Sequence, residues 1–227
     1  MERFFDALGD DRAHQLTHVS ADAAAWVANV AARRCAQAVV CLDPFHVVKW
    51  ATDALDVVRR QTWNAARRGG DTALARELKH ARFALWKNPA DLTRRQRGKL
   101  ARIAEVNRPL YRAYLLKEEL RLVFRVKGGH GVALLDAWLS WARRCRIPAF
   151  TKLARTIAAH RAGIVASLLH GLSNARVESV NTKLRVLTRM AFGFRSPEAL
   201  IGLAMLSVGG LCPDLPGRAQ PDPRIWQ

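Results

Sequence analysis

Hydrophobic and polar positions follow two rhythms along this chain, and the change of rhythm divides it. Phe4, Phe5 and Leu8 fall on one side of a helical projection and Gly9 follows, which predicts a helix over residues 2–9. Leu16 to Ala21 reads as a short strand ending at Asp22. Ala23 to Arg34 returns to helical spacing, with Trp26, Val27 and Val30 facing inward. Ala38-Val39-Val40-Cys41-Leu42 is an unbroken, β-branched apolar run, the pattern of a strand buried on both faces of a parallel sheet. It ends at Asp43, and Pro44 follows at once. The opening is helix, strand, helix, strand, with an aspartate at the carboxyl end of each strand.

From Val47 to about Leu169 the rhythm is helical throughout. Val47 to Arg68 predicts one long basic amphipathic helix carrying Trp50, Leu55, Val58 and Trp63, stopped by Gly69-Gly70. Asp71 to Trp86 predicts a second, ended by Asn88-Pro89. Thr93 is a natural cap for a third, which reaches Val106. Asn107-Arg108-Pro109 is a turn, and Leu110 to Phe124 a fourth helix. Lys127-Gly128-Gly129-His130-Gly131 reads as a flexible joint. Two more helices follow, separated at Ile147-Pro148, with Trp138 and Trp141 at core spacing rather than as platforms for bases. A last helix is expected from Pro197 to about Val208, and the Pro- and Gly-rich stretch 209–227 reads as a flexible tail.

One helix stands apart. Val177, Val180, Leu184, Leu187 and Ala191 recur at steps of three and four after a capping Ser173 or Asn174, and Gly193 sits where the helix would stop. Glu178 lies just off this stripe in the first turns, with Asn181 and Arg185 on its face. Lys183, Arg185 and Arg189 make the remaining surface basic. An acid in that place suits a divalent metal held against a nucleic acid backbone. It equally complements the positive end of the helix dipole.

Charge sharpens the picture. Lys and Arg number 37 against 19 Asp and Glu, a net charge of +18 in 227 residues, half of them hydrophobic. Such a chain buries a real core, and its imbalance points to nucleic acid as partner. No segment has the length and purity of a spanning helix, so no membrane partner is expected, and a cytoplasmic, nucleoid-associated protein is. The four cysteines are scattered without a Cys-x-x-Cys pair, which suits reduced core thiols better than zinc. The Arg runs at 59–60, 67–68, 94–95 and 143–144 are individually solvated faces and together favour DNA.

The two strand-end acids carry the candidate chemistry. Ligands of open α/β sheets bind outside the carboxyl ends of strands. Adjacent parallel strands lie about 4.8 Å apart, so Asp22 and Asp43 could reach one site. Their plain alternative is a pair of turn aspartates, and that of His46 a core-edge histidine bonded locally.

These residues resemble the Asp-Asp-Glu insertion-sequence transposases of the ISL-three group. Segments that carry the resemblance include Phe4-Phe5-Asp6-Ala7-Leu8-Gly9, Val19-Ser20-Ala21-Asp22, Leu42-Asp43-Pro44-Phe45-His46-Val47-Val48, Trp86-Lys87-Asn88-Pro89, Ala113-Tyr114-Leu115-Leu116-Lys117-Glu118-Glu119-Leu120, and Ser173-Asn174 through Glu178 to Phe194-Arg195. The resemblance implies an α/β, mostly helical chain: a partial ribonuclease-H-like core (1–46) interrupted by a large all-helical insertion (47–170), with catalytic-core helices over 171–208. By resemblance Asp22 is the second catalytic aspartate and Glu178 the glutamate. Asp43 is the alternative second aspartate, and His46 belongs to an Asp-x-x-His element. Asp22 and Glu178 would ligate Mg²⁺ or Mn²⁺ in a two-metal site, Lys183, Arg185 and Arg189 would hold DNA, and a homo-oligomer stays open. The family's first aspartate precedes the helix at residues 2–9, on a strand with two hairpin partners not found here. The resemblance therefore implies an N-terminally truncated chain, with an exposed sheet edge, an incomplete metal site and no activity of its own.

Overall fold

The computed structural model describes residues 1–209, and the expected tail over 210–227 lies outside them. Residues Met1–Ser173 form one compact unit, and the chain from Asn174 forms a second.

The first unit opens with α1 (Glu2–Leu8), α2 (Asp10–His14), β1 (His18–Ala21), α3 (Ala25–Arg34) and β2 (Val39–Leu42). The strands pair in parallel, with His18 opposite Val39 and Ala21 opposite Leu42. A parallel pair needs a crossover, which α3 provides. Phe5, Ala13, Val30, Ala31 and Cys35 form a small core among α1, α2 and α3. Val27 and Val30 are buried as expected, but Trp26 is exposed. The helix buries positions 27, 30 and 31, and residue 26 lies one step of about 100° off that stripe.

β2 also departs from expectation, for Val39 is exposed and Val40 half-buried, while Cys41 and Leu42 are buried. Val39 and Asp43 donate their N–H groups to Thr17 and Ala21. The intervening Val40 C=O and Leu42 N–H therefore point away from β1. That outer edge is covered by α11 (Arg161–His170). A Cβ at Gly163 would lie 3.4 Å from both Leu42 Cβ and Val40 O, so the missing side chain lets the helix approach the strand backbone.

The long helix α4 (Pro44–Arg68) starts directly from β2, with Pro44 in its first turn. It buries Val47, Ala51, Leu55 and Val58 against the main core. The expected single helix over 71–86 is broken into α5 (Thr72–Lys79) and α6 (Arg82–Trp86). The turn between them lets Leu78, Ala81 and Leu85 all bury, and the carbonyl of His80 takes a hydrogen bond from Lys99 Nζ. Next comes α7 (Arg94–Val106), begun by a full capping box between Thr93 and Gln96.

The remaining helices of this unit are α8 (Arg108–Val126), α9 (Gly128–Arg144) and α10 (Pro148–Ala159). The glycines after Lys127 are no flexible joint, because they lie inside the first turn of α9. Gly131 is buried there, and a Cβ on it would lie 3.0 Å from Val123 O and 3.4 Å from Leu168 Cδ2. Gly131 supplies close packing, and Gly128 supplies a positive φ of 56° at the helix start. Trp138 is buried and donates Nε1–H to Leu116 O at 2.8 Å, and Trp141 packs half-buried on the same core. Cys35, Cys41 and Cys145 are buried free thiols, and burial pushes the Cys35 and Cys41 thiols up.

The second unit contains α12 (Ala175–Met190) and α13 (Pro197–Val208), the latter capped by Ser196. The apolar stripe expected to face a core is open at its start, where Val177 is 60% exposed and Val180 38%, and half-buried further on at Leu184 and Leu187. Phe192 and Gly193 both take positive φ just after the helix, where Gly193 was expected to stop it. No helix among the described residues is long and apolar enough to cross a membrane.

Candidate active site

The register of the sheet positions the two aspartates. Ala21 and Leu42 are paired, so Asp22 and Asp43 leave neighbouring strands at the same level. Asp43 N–H still donates to Ala21 O, at 2.8 Å. Beyond that point the two acids differ.

Asp43 is only 1% exposed. It occupies the N-cap of α4, and its Oδ2 lies 2.8 Å from Nδ1 of His46, three residues on. The helical repeat brings the ring back over the carboxylate, and the ring is about one-third exposed. His46 thus shields the acid and joins it to the surface.

Asp22 is exposed. Its Oδ1 accepts a hydrogen bond from Ala24 N–H at 3.3 Å, closing a turn before α3. Its other carboxylate oxygen takes no hydrogen bond among the described residues. Asp22 lines a groove of about 570 Å³ between α3 and α11, which Asn29, Leu42, His160 and Gly163 also line.

Glu178 and the three expected DNA-binding cations all belong to the second unit. Glu178 is exposed in the first turns of α12, and its carbonyl accepts a hydrogen bond from Thr182 Oγ1. Lys183, Arg185 and Arg189 are exposed and in no ion pair among the described residues. The sheet thus brings Asp22, Asp43 and His46 to one edge, while Glu178 stands with the basic residues of α12. Within each unit, no three His, Cys, Asp or Glu side chains of the described residues are grouped to hold a metal ion.

A charged cluster that sequence patterning missed lies deeper. Lys117 is 1% exposed, donates to Leu85 O at 2.6 Å and pairs with Glu118 at 2.5 Å. Arg121 holds the other oxygen of Glu118 and also reaches Asn88. Burial lowers the Lys117 pKa and outweighs the pull of Glu118, which raises it. The signal was present, since Lys117 is in phase with the buried Ala113 and Leu120 on α8. The cluster ties two of the resemblance segments to one another: it joins α8 to the Trp86–Pro89 turn. Lys117 is a staple between helices, while Arg121 and Asn88 also line a cavity of about 670 Å³ with Pro44 and Phe45 at the start of α4.

The chain thus combines a small parallel sheet, with acids at its strand ends, and a strongly basic helical remainder. The chain belongs to the ISL3-type insertion-sequence transposases: residues 1–203 match the model of that DDE family, described as transposase. It is 59% identical over 234 residues to the transposase for insertion sequence element IS1557 of two Mycobacterium tuberculosis strains, with 95% of this chain and 53% of that protein covered. It is 30% identical over 198 residues to the transposase for insertion sequence element IS1001 of Bordetella parapertussis, covering 86% of this chain and 48% of that protein. The chain therefore spans about half the length of the curated relatives it matches. No solved structure matches it.

Proposed function

We propose that this chain carries catalytic carboxylates and a DNA-binding helix of an insertion-sequence transposase, acting on element ends and target DNA by two-metal phosphoryl transfer. The observation that supports it most is the strand register, which leaves Asp22 and Asp43 side by side at the carboxyl edge of a parallel pair. β1, α3 and β2 are read as part of a ribonuclease-H-like core, and the helices from residue 47 to 170 as its insertion. Asp22 is the preferred metal ligand over Asp43, because it is exposed and keeps an oxygen unbonded. Asp43, buried and bonded to His46, suits a positioning role.

The donor set fits the metals proposed. Asp22 and Glu178 offer carboxylate oxygens, which Mg²⁺ and Mn²⁺ prefer. When bound, such a pair of ions would activate a hydroxyl nucleophile and stabilise the leaving oxygen of a phosphodiester. The residues of the chain do the rest. His46 holds the Asp43 carboxylate against the start of α4, which fixes the strand-end backbone next to Asp22. Lys183, Arg185 and Arg189 hold the DNA backbone through charge-assisted bonds to phosphate oxygens.

Calorimetry with Mn²⁺ tests the assignment. Binding should be lost in Asp22→Asn and in Glu178→Gln, and kept in Asp43→Asn where that variant stays folded. Unchanged binding in Glu178→Gln would overturn it. By the same reading the 227-residue chain alone neither nicks nor joins DNA, because the chemistry calls for a further bridging carboxylate. Nicking in Mg²⁺ that disappears in Glu178→Ala would show that Asp22 and Asp43 together meet that need.

A second reading, a non-catalytic DNA-binding protein, is favoured by the unpaired cations of α12. It requires DNA affinity without any metal linkage, so metal-dependent DNA binding by the chain would exclude it.

A further inference from the structure

Charge is distributed unevenly along α4. Its earlier cations are paired: Lys49 with Asp53 at 2.7 Å, and Arg59 and Arg60 with the one Asp56 at 2.8 and 3.2 Å. Its last turn carries Arg67 and Arg68, both exposed and with no ion pair among the described residues. After the Gly69-Gly70 turn, α5 adds Arg76 and Lys79, equally exposed and equally unpaired. The two helices enclose a groove of about 460 Å³ lined by Trp63, Arg67, Arg76, Lys79 and His80. A neighbouring hollow of about 350 Å³ continues it across Asn64, Arg67 and Arg68. The Arg67 guanidinium lies 4.8 Å over the Trp63 ring, which fixes the charge at the groove wall. The nearby acids are engaged elsewhere. Asp71 accepts Leu74 N–H as the cap of α5, and Glu77 lies 4.0 Å from Arg102.

We propose that this α4–α5 groove is a second DNA-binding surface, which takes the phosphate backbone of duplex DNA away from the strand-end acids. Duplex DNA carries one negative charge per about 1.7 Å of axis, so it matches a run of unpaired arginine and lysine heads better than a compact anion does. α4 sets the distance. From Asp43 to Arg67 the helix rises about 36 Å, at about 1.5 Å per residue, which is close to one turn of B-DNA. The groove is thus well away from Asp22 and Asp43, and its residues are distinct from the α12 cations. It extends the proposed function by one contact surface without altering its chemistry.

The test uses the full chain and a fluorescent duplex of about three helical turns in EDTA, titrated from about 50 to 200 mM salt. The triple variant Arg67→Ala/Arg76→Ala/Lys79→Ala is compared with Arg94→Ala/Arg95→Ala/Arg97→Ala. The latter removes the same charge from exposed positions on α7. The groove variant should lose affinity by roughly 10²-fold and flatten the log–log salt slope by about 2–3, near 0.9 per phosphate contact. The α7 variant should lose less than about a third of that slope change, and Mn²⁺ binding should be the same in both and in the parent chain. Equal losses in the two variants would mean that net charge alone binds DNA, and would overturn the proposal. A groove variant with full DNA affinity but reduced binding to phosphatidylserine vesicles would overturn it in favour of a membrane surface. Because no metal is present, failure here leaves the carboxylate assignment standing, and failure of the Mn²⁺ test leaves the groove standing.

Discussion

At the residue scale, the informative side chains are those buried against their chemistry. Tyr114 is 4% exposed, and its hydroxyl is pushed up to about 12 by burial first and then by Glu118 and Tyr111, against a smaller opposing pull from Arg121. An unfolded tyrosine ionises near about 10. Between roughly pH 10 and 12, then, the unfolded chain sheds a proton that the folded chain keeps. Stability from this residue is complete below about pH 10 and falls as pH rises through that window. Urea unfolding of the parent chain and of Tyr114→Phe should show it: the parent loses stability over this range relative to the variant. Parallel curves would mean that the hydroxyl ionises as freely in the fold as outside it.

At the element scale, the contact between α11 and the outer edge of β2 decides whether the sheet end is held. Gly163 is the residue that permits it, with room for a methyl at the margin of ordinary contact and for nothing larger. Gly163→Ala should change stability by no more than about 1 kcal/mol, since better helix propensity offsets the tight fit. Gly163→Leu should cost about 1–3 kcal/mol or more, as overpacked sites do, and should speed amide exchange at Leu42. Leu42 amide protection unaltered in Gly163→Leu would show that α11 does not cover the edge. The register that sets Asp22 beside Asp43 depends on this short strand pair, so the element contact reaches the candidate site.

At the scale of the whole molecule, the net charge of +18 governs behaviour. Binding to duplex DNA of arbitrary sequence should weaken by orders of magnitude between about 50 and 200 mM salt, with little discrimination among sequences. Fluorescence anisotropy across that range measures it, and salt-independent binding would show that phosphate contacts are not the main source of affinity. In the proposed reading, the cations that serve are those of α12 and around the α4–α5 turn, in no ion pair among the described residues. Lys49, Arg59 and Arg60 contribute less, since two carboxylates offset two of their three charges.

Periodicity set the opening alternation of helix and strand and the helical run after it, because apolar positions recur at two residues in one element type and near 3.6 in the other, but it missed α2, the α5–α6 break and the division of α10 from α11. It placed β1, α3, β2 and α4 within a few residues and found the Thr93 cap, and it identified the aspartates at the strand ends. The family was legible from short segments in a fixed order. What periodicity could not carry was which neighbour each element meets. Trp26 sits on an apolar-looking turn yet faces solvent, and Gly131 after Lys127 packs a helix start instead of loosening a joint. Neither outcome is written in local spacing, since both depend on residues far along the chain, such as Leu168 against Gly131. The same holds for the acids. Asp22 and Asp43 look alike in sequence, and only the packing of α4 against the sheet end buries one beneath His46 and leaves the other open.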